Sequence, residues 1–67
     1  MSVAKVIEIS SESTESFDHA ISEGISRASQ SIDDICGAWV KDQSMVIQDG
    51  QIKEYRVDLK VTFMLHK

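Results

Sequence analysis

The 67 residues predict an α+β domain built β-α-β-β, in which a three-stranded antiparallel sheet of order 1-3-2 packs on one helix. Three observations carry this: a short β-branched run near the start, an apolar stripe of helical period, and two long segments of period two flanking Asp49-Gly50. At this length one domain spanning 1–67 is expected.

The first strand is read over Lys5 to Ile9, and it runs into a Ser/Glu/Thr cluster at 10 to 16 that looks like a helix start. Ser13 is the favoured N-cap, and Glu15 follows in the first turn, where the helix dipole prefers negative charge. Phe17, Ala20, Ile21, Gly24, Ala28 and Ile32 then recur at spacings of three and four, one stripe on a helix of about five turns. Gly24 within the stripe costs roughly 1 kcal/mol against Ala, so a close approach of helix to sheet is the expected compensation.

Ile35 to Gln48 and Gln51 to Leu65 are the second and third strands, joined by a two-residue Asp-Gly turn. That turn sets residue 48 opposite 51 and fixes the register. Cys36, Ala38, Val40 and Val46 then share the helix-covered face with Tyr55, Val57, Leu59, Val61, Phe63 and Leu65. The other face holds Gly37, Trp39, Lys41, Gln43, Met45 and Ile47 beside Arg56, Asp58, Lys60, Thr62 and Met64. A single helix cannot reach it, so other subunits, a ligand or both must cover it. The third strand lies between the other two because the helix returns the chain antiparallel to the first strand.

Size points the same way. A core of this length rarely supplies more than roughly 3 to 5 kcal/mol without disulfides, a metal or association. Cys36 is the one cysteine, and no Cys/His spacing suits zinc, which leaves association. Seven Lys and Arg against eleven Asp and Glu, a net charge of −4, give no cationic footprint for nucleic acid. No apolar run approaches a membrane span and MSVAKVIEIS lacks the parts of a secretory leader, so a cytoplasmic protein is expected. Asp33 and Asp34 end the helix in solvent or, with a neighbour's oxygens, hold a hard cation. Neither His19 nor His66 has a nucleophile and a carboxylate at a telling spacing, so no enzyme is expected.

KVIEI followed by the Ser10 to Glu15 helix start, AISEGISRASQSI (Ala20 to Ile32), and Tyr55-Arg56-Val57 leading to Val61-Thr62-Phe63 together resemble the dodecin family. The resemblance spans nearly the whole chain. It implies a hollow shell of twelve identical chains with helices outside and sheet faces inside, and flavin (riboflavin or its phosphate FMN) stored at subunit contacts. It also implies that Gly37 stands where flavin-binding members carry a stacking tryptophan, and Arg56 where they carry a glutamine. Trp39, two residues on, keeps to the same face as Gly37. Trp39 either stacks on a flat ligand or packs between subunits. Arg56 either clamps a carbonyl edge or phosphate, or pairs with Asp58 or Glu54 of a neighbour. The alternative to flavin storage is a structural assembly that has lost flavin or that binds another small ligand or a cation.

Overall fold

The computed structural model describes residues 3–65, and its elements follow the expected order: β1 (Val3–Ser13), α1 (Phe17–Ser31), β2 (Ile35–Gln48) and β3 (Gln51–Leu65). The strands form one antiparallel sheet in the order β1-β3-β2, so the last strand is hydrogen-bonded on both sides. His66 lies outside the described residues.

β1 is longer than its β-branched run. It continues to Ser13 because Ser10 to Ser13 each face a β3 partner, Asp58 through Tyr55. Ladder pairing overrides the low strand propensity of Ser and Glu. The helix therefore starts later and is shorter, 15 residues or about four turns. Its N-cap is Ser16 rather than Ser13: Ser16 Oγ accepts from the His19 N–H at 2.9 Å.

The buried core is small: Ala20 from α1 and Val57, Leu59 and Val61 from β3. Ile7, Ile9, Phe17, Ile21, Ile25 and Ile35 pack around it. Gly24 permits the seat. A Cβ there would come within 3.1 Å of Ser11 Cβ and 3.4 Å of Leu59 Cδ1. Beside it, Ser11 Oγ donates to the Ala20 carbonyl at 2.7 Å, which fixes β1 to the helix backbone.

The hairpin turn matches its sequence signal, with Asp49 and Gly50 both at positive φ (53° and 73°) and Gln48 opposite Gln51. Further along, register shifts fall between Ile35 and Gly37, between Val40 and Asp42, and between Val46 and Ile47. Each shift exchanges the faces of the residues beyond it. Ala38 and Val40 stay on the helix side, opposite Val61 and Leu59. Gln43 and Met45, expected on the open face, pair instead with the helix-side Val57 and Tyr55, while Asp42, Ser44 and Val46 take the open face. Cys36 is corrected too. It drops out of the pairing and is exposed, its thiol 3.7 Å from the Thr62 carbonyl, and Ile35 packs on the core in its place.

Beyond the helix, Asp34 adopts a left-handed conformation (φ 62°) and its carbonyl accepts from Met64 N–H at 3.1 Å, tying the start of β2 to β3. The chain is 51 Å along its longest axis, whereas 15 helical residues span roughly 22 Å. The helix covers less than half of the hairpin's length.

The seat of α1 is testable at Gly24. Gly24→Val is expected to lower stability by about 1–3 kcal/mol, because the added methyls have no space and the neighbouring atoms include backbone-anchored Cβ. An unchanged denaturation midpoint would contradict the close approach.

Candidate functional site

The open face is organised in cross-strand rows, since directly paired residues share a face. One row joins Val6, Thr62 and Gly37, and the next joins Glu8, Lys60 and Trp39. Toward the hairpin turn follow Ser10, Asp58 and Asp42, then Glu12, Arg56 and Ser44. This last region forms a shallow, polar depression of about 380 Å³.

Trp39 is half-exposed at 50%, with the Lys60 ammonium 5.8 Å from its ring centroid. The extra residue of the bulge, Lys41, reaches across the face and donates to both Glu8 oxygens at 3.3 and 3.2 Å. Gly37 has open space where a Cβ would stand, with nothing within 4 Å. The structure therefore brings Gly37 and Trp39 together at one end of the face.

Arg56 is elsewhere. Its Nε pairs with Glu12 Oε1 at 3.2 Å, and it lies four residues along β3 from Lys60, about 13 Å at the usual strand rise. Within one chain Arg56 therefore lies two rows from Trp39. Glu54, beside this pair, has its carboxyl pushed above the ordinary range, first by hydrogen bonding to Glu12 and then by desolvation and Glu12's charge, against the opposing pull of Arg56 and Lys53. Among the described residues no three His, Cys, Asp or Glu side chains gather to hold a metal ion within one chain.

The strand-to-helix corner holds a constellation that linear spacing concealed. Ser13 Oγ lies 2.7 Å from His19 Nδ1, and His19 Nε2 lies 3.2 Å from Glu15 Oε2. It has the members of a catalytic triad but not the chemistry. Ser13 is buried and its oxygen already accepts the Glu15 N–H at 2.9 Å and the Ser16 N–H at 3.4 Å. Both lone-pair directions are filled, so the hydroxyl hydrogen is left for His19, and no nucleophilic oxygen is presented. The network caps the corner.

The helix over one side of the sheet and the bare, half-polar other side with its single tryptophan define a small α+β protein whose candidate ligand surface is a sheet face rather than an enclosed pocket. The sequence model of the Dodecin family matches residues 3–66, and the chain belongs to that family. It is 40% identical over 65 residues to the calcium dodecin of Mycobacterium tuberculosis, covering 97% of this chain and 92% of that protein. Among solved structures, the dodecin from Streptomyces davaonensis is similar with a TM-score of 0.93 at 35% identity, covering 98% of this chain and 97% of that one. The tt0972 protein from Thermus thermophilus reaches 0.94 at 30% identity, over 100% of this chain and 98% of that one. The structure of the M. tuberculosis calcium dodecin, described as having a calcium-binding site, gives 0.83 at 40% identity, over 96% and 91%.

Two measurements probe this geometry. Ser13→Ala leaves the Glu15 and Ser16 amides without their acceptor and is expected to cost about 1–3 kcal/mol in chemical denaturation; a neutral result would show that water satisfies them. For Glu54, a folded-state pKa raised above the unfolded one means stability that is fully present in acid and is lost as pH rises through the raised range. Glu54→Gln should therefore be more stable than the wild type at neutral pH, with the gap closing in acid. A pH-independent gap would place the effect elsewhere.

Proposed function

We propose that this dodecin is a flavin-binding storage protein, not an enzyme, that works in the cytoplasm as a hollow homo-oligomer, a dodecamer, and sequesters riboflavin or FMN at subunit contacts. The observation that carries the reading is Trp39, a half-exposed indole beside the open space at Gly37 on a face no helix covers. Half-exposed aromatics of this kind are well suited to stacking on a flat ring. Gly37 stands at the family's stacking position, and the ligand accordingly shifts by one same-face residue to Trp39. Arg56, too distant in its own chain, joins from a neighbouring one and offers donors to the ligand's carbonyl edge. Self-association is supported by the large apolar side chains left in water, among them Val3, Val6, Met45, Ile47, Ile52 and Leu65.

The test is fluorescence of riboflavin or FMN titrated with assembled protein, together with size analysis. Quenching at micromolar protein is expected, and Trp39→Ala should weaken binding by roughly tenfold or more, since stacking on an aromatic contributes about 1–3 kcal/mol. Unquenched flavin over an intact assembly, or an unaffected Trp39→Ala variant, would refute the stacking role.

A second reading is a cation-binding assembly without flavin. The 40% identity to a calcium dodecin favours it, as does the acidic stretch of Glu12, Asp42, Glu54 and Asp58 about the polar depression. Oxygens from a second chain would have to complete such a site, because the described residues of one chain gather no three His, Cys, Asp or Glu side chains. Calorimetric titration should then show calcium binding that weakens as the pH falls and protons reclaim Glu54. Absence of calcium heat at neutral pH would remove this reading.

A further inference from the structure

We infer that the Trp39 surface selects flat aromatic ligands that carry a negative charge, and that Lys60 is the residue that reads the charge. The inference rests on the stacking role proposed for Trp39. Lys60 sits opposite Trp39 on β2 and opposite Glu8 on β1, yet Glu8 is taken by Lys41 at 3.2 Å. Lys60 makes no ion pair among the described residues; its ammonium instead faces the indole ring, 5.8 Å from the centroid.

A cation over an exposed ring is held weakly, and a phosphate or carboxylate oxygen offers the ammonium a stronger, charge-assisted hydrogen bond. A neutral flat ligand that stacks on the side of the ring facing Lys60 must displace that cation without replacing its partner. An anionic one supplies the partner. The local charge count agrees: of Glu8, Lys41 and Lys60, the first two pair with each other, which leaves the charge of Lys60 beside the ring.

The rows on either side fix where the charged end can lie. Toward the turn the next row carries Asp42 and Asp58, which repel an anion. In the other direction the next row is Val6, Thr62 and Gly37, with no charge, one hydroxyl donor and open space at the glycine. The ligand's ring therefore covers Trp39, and its anionic group lies on the Gly37 side of Lys60. The class is a flat heteroaromatic bearing phosphate or carboxylate, of which FMN is an example and riboflavin the neutral counterpart.

That pair is the experiment, because the two share one ring system and differ in the phosphate. Fluorescence titrations of the assembled wild type are expected to favour FMN over riboflavin by on the order of tenfold, as one charge-assisted hydrogen bond allows. The ratio should fall toward unity in Lys60→Gln and be retained in Lys60→Arg. It should also shrink at about 1 M salt, where the screening length drops to about 3 Å. Should Lys60→Gln fail to assemble, the wild-type salt series decides: a preference that high salt leaves intact overturns the inference. Equal affinities in the wild type, or a preference that survives Lys60→Gln, overturn it while leaving the Trp39 reading standing. If neither flavin is quenched, both fall.

Discussion

The close seat of α1 on the centre of the sheet determines most of this molecule. Gly24 lets the helix backbone approach Ser11 and Leu59, and Ser11 answers with a hydrogen bond to the Ala20 carbonyl. Burial is greatest there: Val57, Leu59 and Val61 lie under the helix, on the one strand paired from both sides. Everything outside that footprint is left to other partners. The hairpin extends well past the helix, held there by its ladder and its Asp-Gly turn without a helix beneath it.

The extent of the uncovered surface explains why the two faces differ so strongly. Near the helix the apolar alternation of β3 is kept, since reversing it would bury Asp58 and Lys60. On β2 the run Lys41-Asp42-Gln43-Ser44 has no apolar residue to hold a register. The bulge at Lys41 falls there, and it places Met45 beside Tyr55, which packs edge-to-face on Phe17 at 5.0 Å. The slip puts Met45 in place of Val46 on the helix side, and it brings Asp42 and Ser44 onto the open face, where they line the polar depression with Ser10, Asp58 and Arg56.

Strand order, turn type, the helix stripe and the reason for Gly24 were legible because each follows from a short-range rule in which a single physical effect prevails. The bulges were not. A two-residue turn gives a continuous register, and only the polar gap at 41 to 44 hinted that it could break. The helix start was misplaced because Ser13 and Ser16 are equivalent as caps by residue type, and the choice was made by long-range pairing of β1 with β3. The Trp39–Lys60 pairing agrees with the simple register counted from the turn because the shifts at Val46/Ile47 and at Val40/Asp42 offset each other. The Ser13, His19 and Glu15 network was not legible, because it depends on where a strand ends and a helix begins.

Within one chain the two functional readings draw on different rows of the open face, with Arg56 called on by both, as the partner of Glu12 and, from a neighbouring chain, as a donor to the flavin. Trp39 and Lys60 lie at one end of the open face; Arg56, with Glu12 opposite it on β1, lies about 13 Å along β3 and Glu54 about 20 Å, each region with the opposite electrostatic need. Around the indole, Lys60 lacks a carboxylate and favours an anion. Beside Glu12, Glu54 keeps its proton more tightly, first through a hydrogen bond with Glu12, then through desolvation and Glu12's charge, while Arg56 and Lys53 pull the other way. The Ser10–Asp58–Asp42 row separates them and adds two carboxylates, from β3 and β2, beside the acidic region. A flat anion and a divalent cation would thus sort to different rows of one face. Substitution at Trp39 therefore tests the flat-ligand reading while leaving the carboxylates of Glu12, Asp42, Glu54 and Asp58 in place.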